Sequence, residues 1–194
     1  MAFVRLTVRN LRLPRHVAAP VPQPDGVPFH RPGDRSGAVE YFPWHRLYAR
    51  LLILPRDAGP DDRPTGISAG TLHSAVLDTG SPACVFPFPL WQPFRDEIRW
   101  LSQPAREDGQ PWAITVLGGR WRYQLGRVRI GLTDGEFNWL PGVMTNALFL
   151  DDATGSASPP SQAILGLRTE LFADRRLRHT RDDDGHATWL LDDH

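Results

Sequence analysis

Asp78-Thr79-Gly80-Ser81, entered from the apolar run Ala75-Val76-Leu77 and left through Cys84-Val85-Phe86, puts a carboxyl group on a tight turn between two apolar segments. Activating water against an amide requires a base and an acid of similar pKa held close together, and two carboxyl groups sharing one proton supply both. The apolar strand would deliver Asp78 into a dry cleft, and Gly80 permits a turn whose amides can face the carboxylate oxygens. Thr79 and Ser81 carry short hydroxyls suited to bracing that turn. One carboxyl cannot do this chemistry alone, and Asp-Thr-Gly occurs once in the chain. The same residue types also form ordinary turns, so a plain turn after a strand is the competing reading.

A second segment, Ala163-Ile164-Leu165-Gly166, lies downstream. Together the two resemble the active-site loop of aspartic peptidases and the hydrophobic-hydrophobic-Gly segment that those proteins place beneath it. With a single Asp-Thr-Gly, the chain is similar to the single-domain, retropepsin-like branch over residues 41–191. The resemblance implies a mainly β fold, a closed acid-protease-type β-barrel with one or two short helices. It implies an aspartic endopeptidase that works as a homodimer on a peptide or protein substrate, with no cofactor and no metal. Asp78 of each subunit would hold the attacking water, the Thr79 hydroxyls would brace each other, and Ser81 would hydrogen-bond a catalytic carboxylate. Ile164, Leu165 and Gly166 would support the loop from below. Gly118 and Gly119 would form the tip of a flap whose Trp121 and Tyr123 present aromatic surface to the bound peptide. Three positions depart from the pattern: Ser81 stands where retroviral members have Ala, Pro82 is unusual, and Leu167 precedes Arg168 where an Arg is expected directly after the glycine. A peptide-binding or structural protein that keeps the fold without useful activity is the alternative.

Composition narrows the chemistry further. The chain has 194 residues and 22 basic against 22 acidic side chains, so no net field draws it to nucleic acid or an anionic membrane. Every basic residue other than histidine is Arg. Without lysine there is no phosphate-binding P-loop lysine, no kinase-type ATP lysine and no Schiff base to pyridoxal phosphate. Cys84 is the only cysteine, which excludes an intramolecular disulfide and a multi-thiolate metal site within one chain, and its apolar surroundings read as a small buried residue. The seven histidines show no metal-ligand spacing. Asp182-Asp183-Asp184-Gly185 lacks the alternating ligands of a calcium loop. Residues 1–13 alternate Arg with apolar types, unlike a signal peptide, no run reaches transmembrane length, and a cytoplasmic location is expected.

The elements that must position the motif follow from periodicity. Residues 1–40 read as a strand, Phe3 to Leu13, leading into a Pro/Gly-rich arm whose prolines deny it a ladder or helix. Residues 41–194 read as one β domain. Strands are expected at Leu47 to Leu54, Leu72 to Leu77, Trp112 to Leu117, Arg120 to Leu125, Val128 to Leu132 and Val143 to Leu150. Gly118-Gly119 would turn the hairpin between Trp112 to Leu117 and Arg120 to Leu125. Short helices are expected at Trp91 to Leu101 and Leu167 to Phe172, a loop at Asp151 to Gln162, and a closing hairpin from Arg176 to Thr180 and Ala187 to Leu191. Two further motifs lose to context. Gly66-Ile67-Ser68-Ala69-Gly70 has the spacing of a nucleophile elbow but follows a Pro/Asp-rich stretch instead of a buried strand. Arg120, Arg122, Arg127 and Arg129 interleave with Trp121 and Tyr123, yet strand alternation explains them as well as nucleic-acid binding does.

Overall fold

The computed structural model describes residues 2–10, 27–29, 40–42, 45–59, 72–78, 81–116, 119–134, 138–151, 162–181 and 187–193. Thr79, Gly80, Gly118, the Gly66 to Gly70 motif, the Asp182 to Gly185 turn and most of the Pro/Gly-rich arm lie outside them. Thirteen strands are described: β1 (Phe3–Asn10), β2 (Val27–Phe29), β3 (Glu40–Phe42), β4 (His45–Leu54), β5 (His73–Asp78), β6 (Cys84–Phe86), β7 (Arg99–Trp100), β8 (Ala113–Val116), β9 (Gly119–Thr133), β10 (Trp139–Leu150), β11 (Ala163–Gly166), β12 (Arg175–Arg181) and β13 (Ala187–Asp193). One short helix, α1 (Phe88–Trp91), joins them. The fold is mainly β.

Six strands close into a barrel in the order β4-β5-β11-β6-β10-β9, with β9 returning to β4 through the pairs Arg50↔Thr133 to Leu54↔Arg129. Alternation within the strands builds its interior. Ala75 and Leu77 of β5, Ala163 and Leu165 of β11, Cys84 and Phe86 of β6, and Ala147 and Phe149 of β10 all enter one buried cluster with Leu51, Ile53, Val128, Ile130 and Leu132. In the second half of β4, Leu51-Leu52-Ile53-Leu54 is buried on both faces, as a strand covered from two sides must be.

Four expectations need correction. First, the strand expected from Phe3 is present as β1 and belongs to the main sheet: Phe3 to Leu6 pair with β13, Thr7 to Asn10 pair with β4, and Val4 and Leu6 are buried. The boundary at residue 40 therefore cuts through the sheet. Within the proline-rich stretch, β2 pairs with β3 and sets Pro28 opposite Tyr41, which a two-stranded ribbon tolerates because a missing donor there breaks no central ladder.

Second, Trp91 to Leu101 is not one helix. After α1 the chain tightens into a 3-10 turn, Gln92–Glu97, in which Phe94 leaves helical geometry, and Arg99–Trp100 becomes β7 against β9. Pro93 has no N–H to donate to the carbonyl of residue 89, so an α-helix cannot continue through it. The aromatic spacing that suggested a helix belongs to a core wedge, in which Trp91 and Trp100 stack edge-on with Phe149 and Trp91 Nε1 donates to the Leu150 carbonyl at 2.8 Å.

Third, Arg120 to Leu125 and Val128 to Leu132 are one strand, β9. Gly126 lies within it opposite Ala147, and a Cβ there would come within 2.7 Å of Ile98 and 3.0 Å of Phe149. The glycine admits neighbours instead of turning the chain. Fourth, the helix expected at Leu167 to Phe172 is a 3-10 turn of three residues, Glu170–Phe172. Among the described residues no helix is long and apolar enough to cross a membrane.

At the head of β5, His73 stands opposite Leu51 with its ring edge-on to Phe94, 5.8 Å between centroids, and its Nε2 is buried with no hydrogen-bond partner among the described residues. Burial holds its pKa below the ordinary histidine value. Because the unfolded chain then takes up a proton at about 6.5 that the folded chain resists, stability falls as pH drops below about 6.5. His73→Phe should flatten that part of the profile. Thermal midpoints of both proteins at pH 7.5 and pH 5 test this; equal losses would discharge His73 from the effect.

Candidate active site

The site grows out of the way β11 is threaded. It runs parallel to β5, with Ala163↔Ala75 through Gly166↔Asp78, and antiparallel to β6 at Ile164↔Val85. The chain leaving β5 at Asp78 must therefore cross the C-terminal end of β11 to enter β6. Asp78 stands at the exposed end of β5, after three buried residues. Its carbonyl accepts the Ser81 N–H at 3.4 Å, closing a four-residue turn, and the Leu167 N–H at 3.1 Å, which ties that turn to the chain after β11.

Gly166 is the contact point of the crossing. A Cβ there would lie 2.5 Å from the Ser81 carbonyl oxygen and 2.7 Å from that of Ala83, closer than any real side chain comes. The apolar-apolar-Gly pattern thus has a mechanical meaning: Leu165 fills the core, Ile164 faces outward, and Gly166 lets the loop rest on the strand. Behind it, Thr169 Oγ1 donates to the Gly166 carbonyl at 2.7 Å, and the Cys84 thiol lies 3.7 Å from the same hydroxyl. Burial pushes the Cys84 thiol pKa up, so it packs as a small apolar group and is a poor nucleophile. The Ser81 hydroxyl departs from its implied role. It donates to the Ala83 carbonyl at 2.7 Å, bracing the loop instead of giving its proton to a carboxylate.

The sheet that carries Asp78 has two faces. One is the barrel core. By alternation, Asp78 shares the other with Val76, Ile164 and Val85, next to Leu148 and Leu150 of β10. A second buried cluster forms there, in which Val85, Leu150 and Ile164 meet Val116 and Trp121 of the β8–β9 hairpin, with Ile114, Tyr123 and Leu148 at its margin. The hairpin therefore lies over the face that bears the carboxyl group.

Its details differ from expectation in two respects. The ladder runs from Ala113↔Arg122 to Val116↔Gly119, so the connecting residues are Leu117 and Gly118, and Gly119 is a buried strand residue. Trp121, expected to present its ring to a peptide, is 5% exposed and packed against the sheet. Tyr123 is half-buried beside it.

Sequence reasoning did not find the Glu170 cluster on the opposite side of the loop. The Glu170 carboxylate accepts from Thr145 Oγ1 at 3.1 Å and Asn146 Nδ2 at 2.8 Å. Its pKa is held below the usual range, first by its own backbone N–H and then by Thr145, Asn146 and the charge of Arg127, against the opposing effect of partial burial. An open depression of about 660 Å³ adjoins it, bounded by Pro82, Ala83, Leu167 and Arg168. Nothing in the local sequence announces this group, since its members are brought together only by the β10 register and the turn after β11. Comparison of the chain with family models, with characterised proteins and with solved structures gave no match in any of the three.

Proposed function

We propose that this protein is a retropepsin-like aspartic endopeptidase, active as a homodimer. The observation that carries the reading is the crossing itself: a loop bearing an exposed aspartate seated on the glycine of a threaded Ile-Leu-Gly strand, beneath an overlying hairpin. Such a base fixes the height and direction of Asp78 through backbone contacts, which suits a carboxyl group that must meet a second one across a symmetry axis. The two Asp78 side chains share a proton and hold a water. One carboxylate takes the water's proton as it attacks the peptide carbonyl, the other gives the shared proton to the carbonyl oxygen, and on collapse the first carboxyl passes the proton it took from water to the leaving amine while the second recovers one from the tetrahedral hydroxyl. Neither a covalent intermediate nor a cofactor is needed. The cytoplasm is the proposed location, in keeping with a chain whose only cysteine is a buried free thiol.

The terminal strands are engaged within the chain: the Trp189 to Asp192 part of β13 pairs on both edges, with β12 and with β1. The open strand edge belongs to β12, whose Arg176, Arg178 and Arg181 discourage flat edge-to-edge pairing. Arg178 bridges to Asp192 at 2.6 Å. We place the two-fold contact of the proposed dimer at the Asp78 loops, where two carboxyl groups could share one water.

A non-catalytic peptide-binding protein is the second reading, and the Ser81 to Ala83 bond favours it, because it spends on the loop a hydroxyl that the resemblance assigns to a carboxylate. Serial dilution separates the two. Specific activity on a peptide library, followed beside sedimentation velocity, should collapse as the dimer dissociates. A fully active monomer refutes the two-fold arrangement, and an inactive dimer favours the binding protein.

A further inference from the structure

The indole of Trp121 is buried on the carboxyl-bearing face, yet among the described residues its Nε1 has no hydrogen-bond partner. Trp91, equally buried, spends its N–H on the Leu150 carbonyl. A buried donor left unpaired costs free energy and persists where something else holds the ring in place. Here the ring is folded back along its own strand, so closely that a Cβ on Gly119 would come within 2.6 Å of Nε1. What holds it is the apolar surface made by Val85, Leu150 and Ile164, next to the β5 end that carries Asp78.

Resting on the peptidase reading, we infer that Trp121 occupies a substrate subsite. The surface of Val85, Leu150 and Ile164 receives one bulky apolar side chain of an extended peptide, and the Trp121 indole fills it, latching the β8–β9 hairpin shut, until such a side chain displaces it. The exchange is close to balanced for an aromatic or large branched residue, because one apolar group replaces another of similar area. Displacement also returns the Nε1–H to water or to a peptide carbonyl. A small side chain cannot replace the lost contact, so the latch selects for bulk as well as keeping the empty site closed.

The test uses the 194-residue chain labelled with 5-fluorotryptophan, with the Trp121 resonance assigned through Trp121→Phe. Two non-cleavable statine peptides serve as probes, identical except for Phe or Ala beside the statine hydroxyl. The Phe peptide should move the Trp121 fluorine signal to a solvent-exposed position with a deuterium isotope shift, and should bind at least about tenfold more tightly than the Ala peptide. Trp121→Ala, whose subsite is already empty, should bind the Phe peptide roughly tenfold more tightly than the wild type, with little change for the Ala peptide. Trp121→Leu should show the same direction to a smaller degree, and serves if the alanine variant does not fold; failure of both to fold makes Trp121 a plain core residue and overturns the proposal. A Trp121 signal that stays buried with the Phe peptide bound also overturns it, while leaving the Asp78 reading intact. Absence of binding by either peptide to any of the proteins sinks both.

Discussion

Asp78→Asn should lower peptide cleavage by about 10²–10⁴-fold, the range for losing a positioned acid or base, with the thermal midpoint unchanged or raised. The amide is nearly isosteric with the carboxyl group but cannot take a proton from water. Folding should tolerate the change, because the contacts that close the loop and tie it to β11 use the Asp78 backbone carbonyl, which asparagine retains. The side chain itself stands at the exposed end of β5. In the proposed dimer, the substitution would also remove the cost of bringing two like charges together, which is why a small gain in stability is the expected sign. Cleavage assays and thermal melts on the same preparations decide it. Equal turnover by the two proteins would remove Asp78 from the chemistry, and loss of folding would show that the carboxylate is a structural anchor.

The strands of the barrel were legible because apolar alternation is a local property, whereas its closure was implied only by the resemblance. β4, β5, β10 and the closing hairpin lie within a few residues of where their patterns place them. What local pattern cannot show is which neighbour fills a gap. Gly126 looks like a break between two strands, yet it is the place where Ile98 and Phe149 close over β9. The three-to-four spacing of Trp91, Phe94, Ile98 and Leu101 is that of a helix, but Pro93 and a core wedge of aromatic rings produce it by another route. At the site, the apolar strand before Asp78 and the two segments of the β8–β9 hairpin could be read from local pattern, while the place of Ile164-Leu165-Gly166 beside the loop was implied only by the resemblance. The burial of Trp121 could not, because an aromatic residue on a strand fits either face equally well until its partners are known. The Glu170 cluster was invisible for the same reason: Thr145, Asn146 and Glu170 meet only through tertiary register.

That register also bears on how the site is kept in shape. Thr169 joins β6 to the turn after β11, Leu167 joins that turn to Asp78, and Ser81 joins the loop to itself. The Cys84–Thr169 and Leu167–Asp78 contacts link segments distant in sequence, the Thr169–Gly166 and Ser81–Ala83 bonds are local, and the loop they brace rests on Gly166. The position of the carboxyl group is thereby set by the seating of the loop on β11 and not by any one side chain.

Gly166→Ala should accordingly damage both stability and activity. The added methyl group meets the Ser81 oxygen at 2.5 Å, the Ala83 oxygen at 2.7 Å and the Ala83 carbonyl carbon at 3.0 Å. All three are backbone atoms, so no rotamer change relieves the contact. Either the loop lifts or β11 shifts against β5, and both weaken the Leu167 to Asp78 hydrogen bond. Overpacking of this kind costs about 1–3 kcal/mol, and a backbone obstacle belongs at the upper end, near 3 kcal/mol. At roughly 2–4 °C per kcal/mol for a chain of this size, the thermal midpoint should fall by about 6–12 °C. Turnover of the molecules that remain folded should fall by about 10²-fold, the order expected when a catalytic group is displaced by 1 Å. Gly109→Ala is the control: its φ is +66°, but nothing lies within 4 Å of the added carbon. That variant should lose only about 1–2 kcal/mol, the cost of placing an L side chain in the left-handed region, and keep full turnover per folded molecule. If Gly166→Ala proves no worse than the control in both measurements, the loop does not rest on β11, and the geometry that carries the peptidase reading fails with it.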